Sequence, residues 1–361
     1  MSEGPGGRKV EPAELYRTEK VLSRDLRVRY PLPEGRIVLR TDLDWDRDLE
    51  PSSVSSDGTT YTFRLEAKKP FLYFKPCWRL GDDLRWAAGA NGLVLMTAQG
   101  RRDVYPYFFG SEKGSFSPLI ELDSTILGRR HLVRAYVPAG YHENTLKKYP
   151  VLFMQDGKNL FFPDEAFAGR DWSVDDSLQL LDAMNAVDKV VVVGIHSGDR
   201  MAEYTKPGYE AYGRSVAEEL VPEAQRRLRL IGGRRETAVM GSSLGGVASF
   251  YMAWQFPEVF TAAACLSSTF SHKDDLVERV LNEPKSPSKF YLDSGWPGDN
   301  FETTLAMAIA LHSRGYVYGR DFIHFAFPLE KHQEAAWGSR IHLPLQLFWG
   351  KVSTARRGRD E

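Results

Sequence analysis

Six residues constrain this chain most: Gly241-Ser242-Ser243-Leu244-Gly245-Gly246. An apolar, strand-like run (237–240) precedes them and a helix-like run (247–254) follows. A strand that turns at once into a helix on the same sheet needs small residues on both sides of the turn. Gly241 stands two before Ser243 and Gly245 two after, which puts Ser243 at the apex with its hydroxyl presented. The backbone N–H of Leu244 opens the helix and points where an oxyanion would form beside that hydroxyl. The bland alternative is a glycine-rich turn that only packs a helix on a sheet. The strand–turn–helix context favours Ser243 as a nucleophile.

A serine hydroxyl is a weak nucleophile until a base takes its proton. At a strand–turn–helix serine, the acid and then the base follow in chain order. Downstream lie His272, His312, His324, His332 and His342. His272 precedes any plausible acid loop. His312 continues the helical run that begins near Thr304, and His324 and His342 sit inside apolar runs. His332 stands in a polar loop, 330–334, after the strand-like run 322–328 and before a last helix expected over Glu334 to Trp349. It is the expected base, against the alternative of a solvated surface histidine.

The acid is expected on the loop after the strand 289–292, within Asp293-Ser294-Gly295-Trp296-Pro297-Gly298-Asp299-Asn300. Two carboxylates compete there. Asp293 is at the strand end, where a buried Asp bonds loop backbone. Asp299 lies deeper in the Gly/Pro loop, just before a helix, and is favoured by that placement. Its task would be to hold the imidazole tautomer and stabilise the imidazolium. A second oxyanion donor is expected from the N–H of Lys158, after the sharp Asp156-Gly157 turn that ends the strand 149–154. The spacing from there to Ser243 fits a doubly wound sheet. Trp296 and Trp337 flank the acid and base loops, and Phe161, Phe162 and Trp172 follow the oxyanion loop. These five are the expected pocket walls. Asp199-Arg200 with Glu203-Tyr204 reads as an Arg–carboxylate brace under the loops, and Asp274-Asp275 as a helix N-terminus.

From about Leu122 to Gly350 the chain resembles the esterase family that includes enterochelin esterase, feruloyl and acetylxylan esterases, S-formylglutathione hydrolase and the mycolyltransferases. The matching stretches are 133–138 with Gly140-Tyr141, then Pro150 to Phe161, then 190–195 with Arg200 and Glu203-Tyr204, then the Ser243 turn. The resemblance implies an α/β-hydrolase fold, with a mostly parallel, doubly wound sheet. It implies Ser243, Asp299 and His332 as a triad, with N–H donors from Lys158 and Leu244. The family's acid commonly sits in a Gly-rich loop like 295–299, which supports Asp299 over Asp293. The reaction so implied is carboxylic-ester hydrolysis through an acyl-enzyme, on a carbohydrate, aromatic-acyl or siderophore-type ester. Acyl transfer to a sugar hydroxyl and a non-catalytic carbohydrate-binding protein are the alternatives.

The chain has 361 residues and is 42% hydrophobic, enough for one large core and a smaller domain. Its 47 basic and 48 acidic residues give a formal net charge of −1, so charge implies no nucleic-acid partner. Two cysteines, Cys77 and Cys265, imply neither a disulfide framework nor a metal cluster. No cofactor or metal is expected. No signal-peptide core or membrane-length run is read, and a cytoplasmic protein is the default.

The expected organisation is an N-terminal extension (1–30) with a short helix over Pro12 to Leu22, then a small immunoglobulin-like β-sandwich (31–110). A linker (111–117), the α/β-hydrolase domain (118–350) and a flexible tail (351–361) follow. Short β runs at 36–40, 59–65, 71–75 and 92–96, separated by turns, carry the sandwich expectation. Trp45, Trp78 and Trp86 either stack on sugar rings or fill that domain's core or the interdomain contact.

Overall fold

The computed structural model describes residues 17–98 and 101–351. They divide into two compact units. One runs to Glu112 and takes in Gly140–Lys147; the other holds Lys113–Ala139 and the chain from Lys148 onward.

The first unit is a two-sheet sandwich. One sheet has the order β4-β5-β1-β9: β1 Leu22–Arg29, β4 Ser53–Val54, β5 Thr60–Ala67 and β9 Arg102–Val104. The other runs β3-β2-β6-β7 with β8 also on β6: β2 Arg36–Thr41, β3 Asp44–Leu49, β6 Phe71–Leu80, β7 Asp83–Trp86 and β8 Gly92–Leu95. Leu26, Val28, Phe63 and Leu65 from one sheet meet Ile37, Leu39, Leu72, Phe74 and Val94 from the other in a single buried cluster. The spacing of two along each strand is what a half-buried sheet requires.

The N-terminal helix expectation fails where it can be seen. Residues 17–21 form no helix, and Leu22 opens β1, paired antiparallel with β5 over its full length. The alternation of buried Leu26 and Val28 has the strand period, and pairing outweighs the local helical pattern. Residues 12–16 lie outside the described residues. Gly140–Lys147 were expected in the catalytic domain but belong to the sandwich unit. There the Glu143 carboxylate accepts N–H bonds from Phe108, Phe109 and Gly110 and the hydroxyl of Tyr30. Asn144 donates to the carbonyls of Arg29 and Pro106.

The second unit is built on a nine-stranded sheet of order β10-β12-β14-β13-β15-β16-β17-β18, with β11 on β12. The strands are β10 Ser115–Phe116, β11 Ile120–Ser124, β12 Arg129–Val137, β13 Val151–Met154, β14 Val191–His196, β15 Thr237–Ser242, β16 Ala262–Leu266, β17 Lys289–Trp296 and β18 Phe322–Pro328. From β14 to β18 every pairing is parallel, while β10, β11 and β14 each run antiparallel to β12. Every residue of β13, β15 and β16 is buried, as strands covered by helices on both faces must be. The strand order reverses at β13, which has β14 on one side and β15 on the other. The crevice at such a reversal, beyond the carboxyl ends of the strands, is where ligands bind in doubly wound sheets. The loops after β13 and β15, bearing Lys158 and Ser243, flank it.

Ser115–Phe116, expected as linker, pair with Tyr136–Val137 as an edge strand. The last helix is two, Glu334–Arg340 and His342–Trp349. Cys77 and Cys265 are buried free thiols. Among the described residues, no helix is long and apolar enough to cross a membrane.

Candidate active site

Ser243 is the turn residue between β15 and the helix Leu244–Gln255, with φ 55° and ψ −125°. A left-handed φ strains a non-glycine residue by roughly 1–3 kcal/mol. The surrounding structure holds it there. Its N–H donates to Leu266 O at 2.9 Å, and its carbonyl accepts from Val247 N at 3.3 Å. The glycines are required by contact: a Cβ on Gly241 would lie 2.4 Å from Gly245 O, and one on Gly246 would lie 1.9 Å from Ser268 Oγ. Leu244 opens the twelve-residue helix, so its N–H has no intrahelical acceptor.

Ser243 Oγ lies 2.9 Å from His332 Nε2, and His332 Nδ1 lies 2.7 Å from Asp299 Oδ1. Ser243 follows β15, Asp299 lies on the loop after β17 and His332 on the loop after β18, and the three meet beyond the carboxyl ends of these parallel strands. Asp299's carboxylate is fully buried yet well supplied with donors. Oδ2 accepts from Ser267 Oγ at 2.6 Å and Gly295 N at 2.7 Å, and Oδ1 also accepts from Asn300 N at 2.8 Å. Burial alone would push this carboxyl up; the His332, Ser267, Gly295 and Asn300 donors outweigh it and hold Asp299 well below the usual carboxylate range. An ionised carboxylate only accepts, so Nδ1 carries the proton of the His332–Asp299 bond and Nε2 is left as the acceptor facing Ser243.

Asp293, the competing acid, is placed differently. β17 continues through Trp296, paired with β16 as far as Asp293 and with β18 as far as Trp296, so Asp293 to Trp296 are strand rather than loop. Asp293 is fully buried there, with Oδ1 3.0 Å from Arg340 Nη2 and Oδ2 accepting from Tyr291 Oη at 2.8 Å. No hydrogen bond joins it to His332 among those of the described residues.

Lys158 sits in the single turn Gly157–Asn159 after β13, entered through Asp156 at φ 54°. Register places this turn beside the Ser243 turn: Met154 pairs with Met240. Gly157 packs so closely on Gly194 that a Cβ would lie 2.7 Å from its carbonyl carbon. Arg200 Nε contacts both Asp156 carboxylate oxygens, at 3.0 and 3.1 Å, and Arg200 Nη2 reaches Ser242 O at 3.5 Å. Arg129 Nε pairs with Glu203 Oε1 at 2.5 Å. The Arg–carboxylate brace expected at 199–204 therefore ties the β13 loop to the strand that carries Ser243.

The five aromatic candidates separate into two groups. Trp337 is buried and edge-on to His332, ring centroids 4.9 Å apart, and Trp296 is 54% exposed at the end of β17. Trp172 lies behind Trp337, centroids 5.8 Å apart, and is 2% exposed. Phe161 and Phe162 pack on Phe116, and Phe161 is a core residue. Trp78, one of three sugar-stacking candidates, packs against the sandwich core, whereas Trp86 is 40% exposed beside Trp45. Asp274 accepts from Leu276 N at 3.1 Å, at the start of the helix Leu276–Asn282.

Sequence reasoning missed Ser267, Asn300 and Arg340. Ser267 and Asn300 carry no pattern that marks them. Arg340 does: it is a charged residue three after Trp337 and next to Ile341, on a helix side where Ala336, Trp337 and Ile341 are buried. Such an Arg calls for a buried acid.

The family described as "Putative esterase" matches residues 124–322, more than half of the chain, and stops short of His332. No curated protein sequence matches. Among solved structures, a ferulic acid esterase superposes with TM-score 0.55 at 18% identity, over 66% of this chain and 98% of that one. The enterobactin esterase of Shigella flexneri gives 0.54 at 16% identity, over 92% and 94%. A ferulic acid esterase of Anaeromyces mucronatus gives 0.52 at 16% identity, over 66% and 92%. At these identities the superpositions establish a shared fold. This chain belongs to the esterase family, and its reaction class is carboxylic-ester hydrolysis.

Proposed function

We propose that the protein is a serine esterase that works through an acyl-enzyme on Ser243. The observation that carries this reading is the directed chain from Ser243 Oγ to His332 Nε2 at 2.9 Å and from His332 Nδ1 to Asp299 Oδ1 at 2.7 Å. Ser243 Oγ attacks the ester carbonyl and its proton passes to His332 Nε2. The imidazolium is stabilised by Asp299, which stays ionised. The tetrahedral oxyanion takes N–H bonds from Leu244 and Lys158. The C–O bond to the alcohol breaks as His332 returns the proton to the leaving oxygen. Water then adds to the acyl-enzyme with His332 again as base, and the carboxylic acid leaves with Ser243 restored.

For substrate, Trp337 against the base and exposed Trp296 beside the acid loop favour an ester with a flat partner: an aromatic acyl group or a sugar ring. The structures of this fold named for ferulic acid support the aromatic choice. The test is a panel of matched esters, aryl-acyl, acetylated-sugar and simple short-chain. The reading requires kcat/KM for an aryl-acyl or sugar ester to exceed the short-chain value by tenfold or more. Equal values across the panel contradict the aromatic-wall argument while leaving esterase chemistry intact.

A further inference from the structure

Behind Asp299 lies a buried polar cluster that the reaction as described does not use. Arg340 ends the helix that follows the base loop and is 2% exposed. Its Nη2 donates to Ser267 Oγ at 3.0 Å and to Asp293 Oδ1 at 3.0 Å. Ser267 follows β16 with φ 45°, a strained value for a serine. Its N–H donates to Asp293 O at 2.8 Å, and its carbonyl accepts from Asn300 Nδ2 at 2.8 Å.

We propose that Arg340, acting through Ser267, is a positioning residue that sets the direction of the hydrogen-bond chain ending at the nucleophile. This rests on Ser243, His332 and Asp299 acting as proposed above.

A guanidinium donates and cannot accept. Ser267 Oγ must therefore accept from Arg340, and its single proton points to Asp299 Oδ2, 2.6 Å away. With Gly295 N–H also on Oδ2 and Asn300 N–H on Oδ1, the carboxylate plane is fixed by three donors other than the histidine. The remaining acceptor site of Oδ1 faces His332 Nδ1. Every proton in the sequence Arg340, Ser267, Asp299, His332, Ser243 then has one possible direction, and the imidazole keeps a bare Nε2. Asp293 balances the charge of Arg340 without touching His332.

The ion pair with Asp293 accounts for the burial of the Arg340 charge but not for its second bond, to Ser267 Oγ. Its Nε and Nη1 are buried without a hydrogen-bond acceptor among the described residues, and the guanidinium lies over the Phe327 ring, 4.8 Å from its centroid. Burying a guanidinium with two empty donors is costly, and a well-packed apolar side chain in such a place is often neutral or stabilising. Ile341 fills the neighbouring position in that way.

The experiment measures kcat and KM on an aryl ester for Ser267→Ala, Arg340→Met, Arg340→Lys and the Ser267→Ala/Arg340→Met double variant. Fluorophosphonate labelling counts the active sites. Each single loss should lower kcat about 10- to 100-fold, the scale of one hydrogen bond to a charged group, with KM changed less than about threefold. The double variant should fall no more than about threefold below the slower single, because the two residues act in one chain. Arg340→Lys should recover part of the loss. Multiplying losses, or unchanged kcat in Ser267→Ala, overturn the proposal. If Arg340→Met does not fold, Ser267→Ala, which removes one hydroxyl, decides it alone. Wild-type protein that takes no label at Ser243 overturns the triad reading and this proposal with it, a result separable from the variant kinetics.

Discussion

Replacing each of the two buried aspartates by asparagine separates chemistry from stability. Asp299→Asn is nearly isosteric but puts an NH2 where a carboxylate now accepts four hydrogen bonds: His332, Asn300, Ser267 and Gly295. If the amide oxygen keeps the Ser267 and Gly295 donors, the NH2 faces His332 Nδ1. The imidazole must then accept there and carry its proton on Nε2, so it cannot take the proton of Ser243. The cost of a wrong tautomer is about 10⁴ in turnover, or roughly 5 kcal/mol of barrier. Asp293→Asn breaks a different bond. It leaves the Arg340 guanidinium, 3% exposed in its side chain, without its counter-charge. Breaking a buried pair from one side costs about 3–5 kcal/mol of stability. The assay pairs kcat/KM on an activated aryl ester with urea unfolding of both variants. Asp299→Asn should lose most of its turnover, and Asp293→Asn should lose more stability and retain far more turnover. The reverse pattern refutes the assignment of Asp299 as the acid.

Gly241→Ala places a methyl 2.4 Å from Gly245 O, a backbone atom that cannot rotate away. The turn must open, so stability should fall by about 1–3 kcal/mol and kcat by tenfold or more, checked by unfolding and steady-state rates. Acid should destabilise the fold partly through Asp299. Its carboxyl is depressed in the native state, so the unfolded chain binds more protons below the ordinary Asp value near 3.9, and that part of the stability is lost as pH falls below it. Between about pH 4 and pH 2.5, stability of the wild type should fall more steeply than that of Asp299→Asn, by up to one proton, or about 1.4 kcal/mol per pH unit. Parallel slopes refute the depressed carboxyl.

The sheet was legible because its central strands are continuous apolar runs, and the Ser243 turn because close backbone contact leaves glycine as the only residue that fits. His332 was legible as the histidine in a polar loop beyond the acid loop, and the structure brings it to Ser243. The acid was ambiguous for a physical reason: 293–296 read as loop because Asp, Ser and Gly are poor strand formers, yet pairing with β18 carries β17 on to Trp296, three residues past the end of its pairing with β16. The N-terminal helix misled in the opposite sense, since residues 22–29 owe their strand to β5, far along the chain. Gly140–Lys147 joining the sandwich unit left no local mark, because Glu143 and Asn144 act on backbone groups at 29 and 106–110. Arg340 was visible as a charge on an apolar helix side, but its partners come from β16 and β17 and need the fold to be seen.

Ser243 should become acylated during turnover. The most direct measurement quenches the enzyme in acid during turnover of a slow aryl ester and maps the modified peptide by mass spectrometry, beside Ser243→Ala and Asp299→Asn. The wild type should carry one acyl group per chain on the peptide containing Ser243, Asp299→Asn should build up the same adduct more slowly, and Ser243→Ala should carry none. An acyl group on another residue, or turnover that survives in Ser243→Ala, contradicts it.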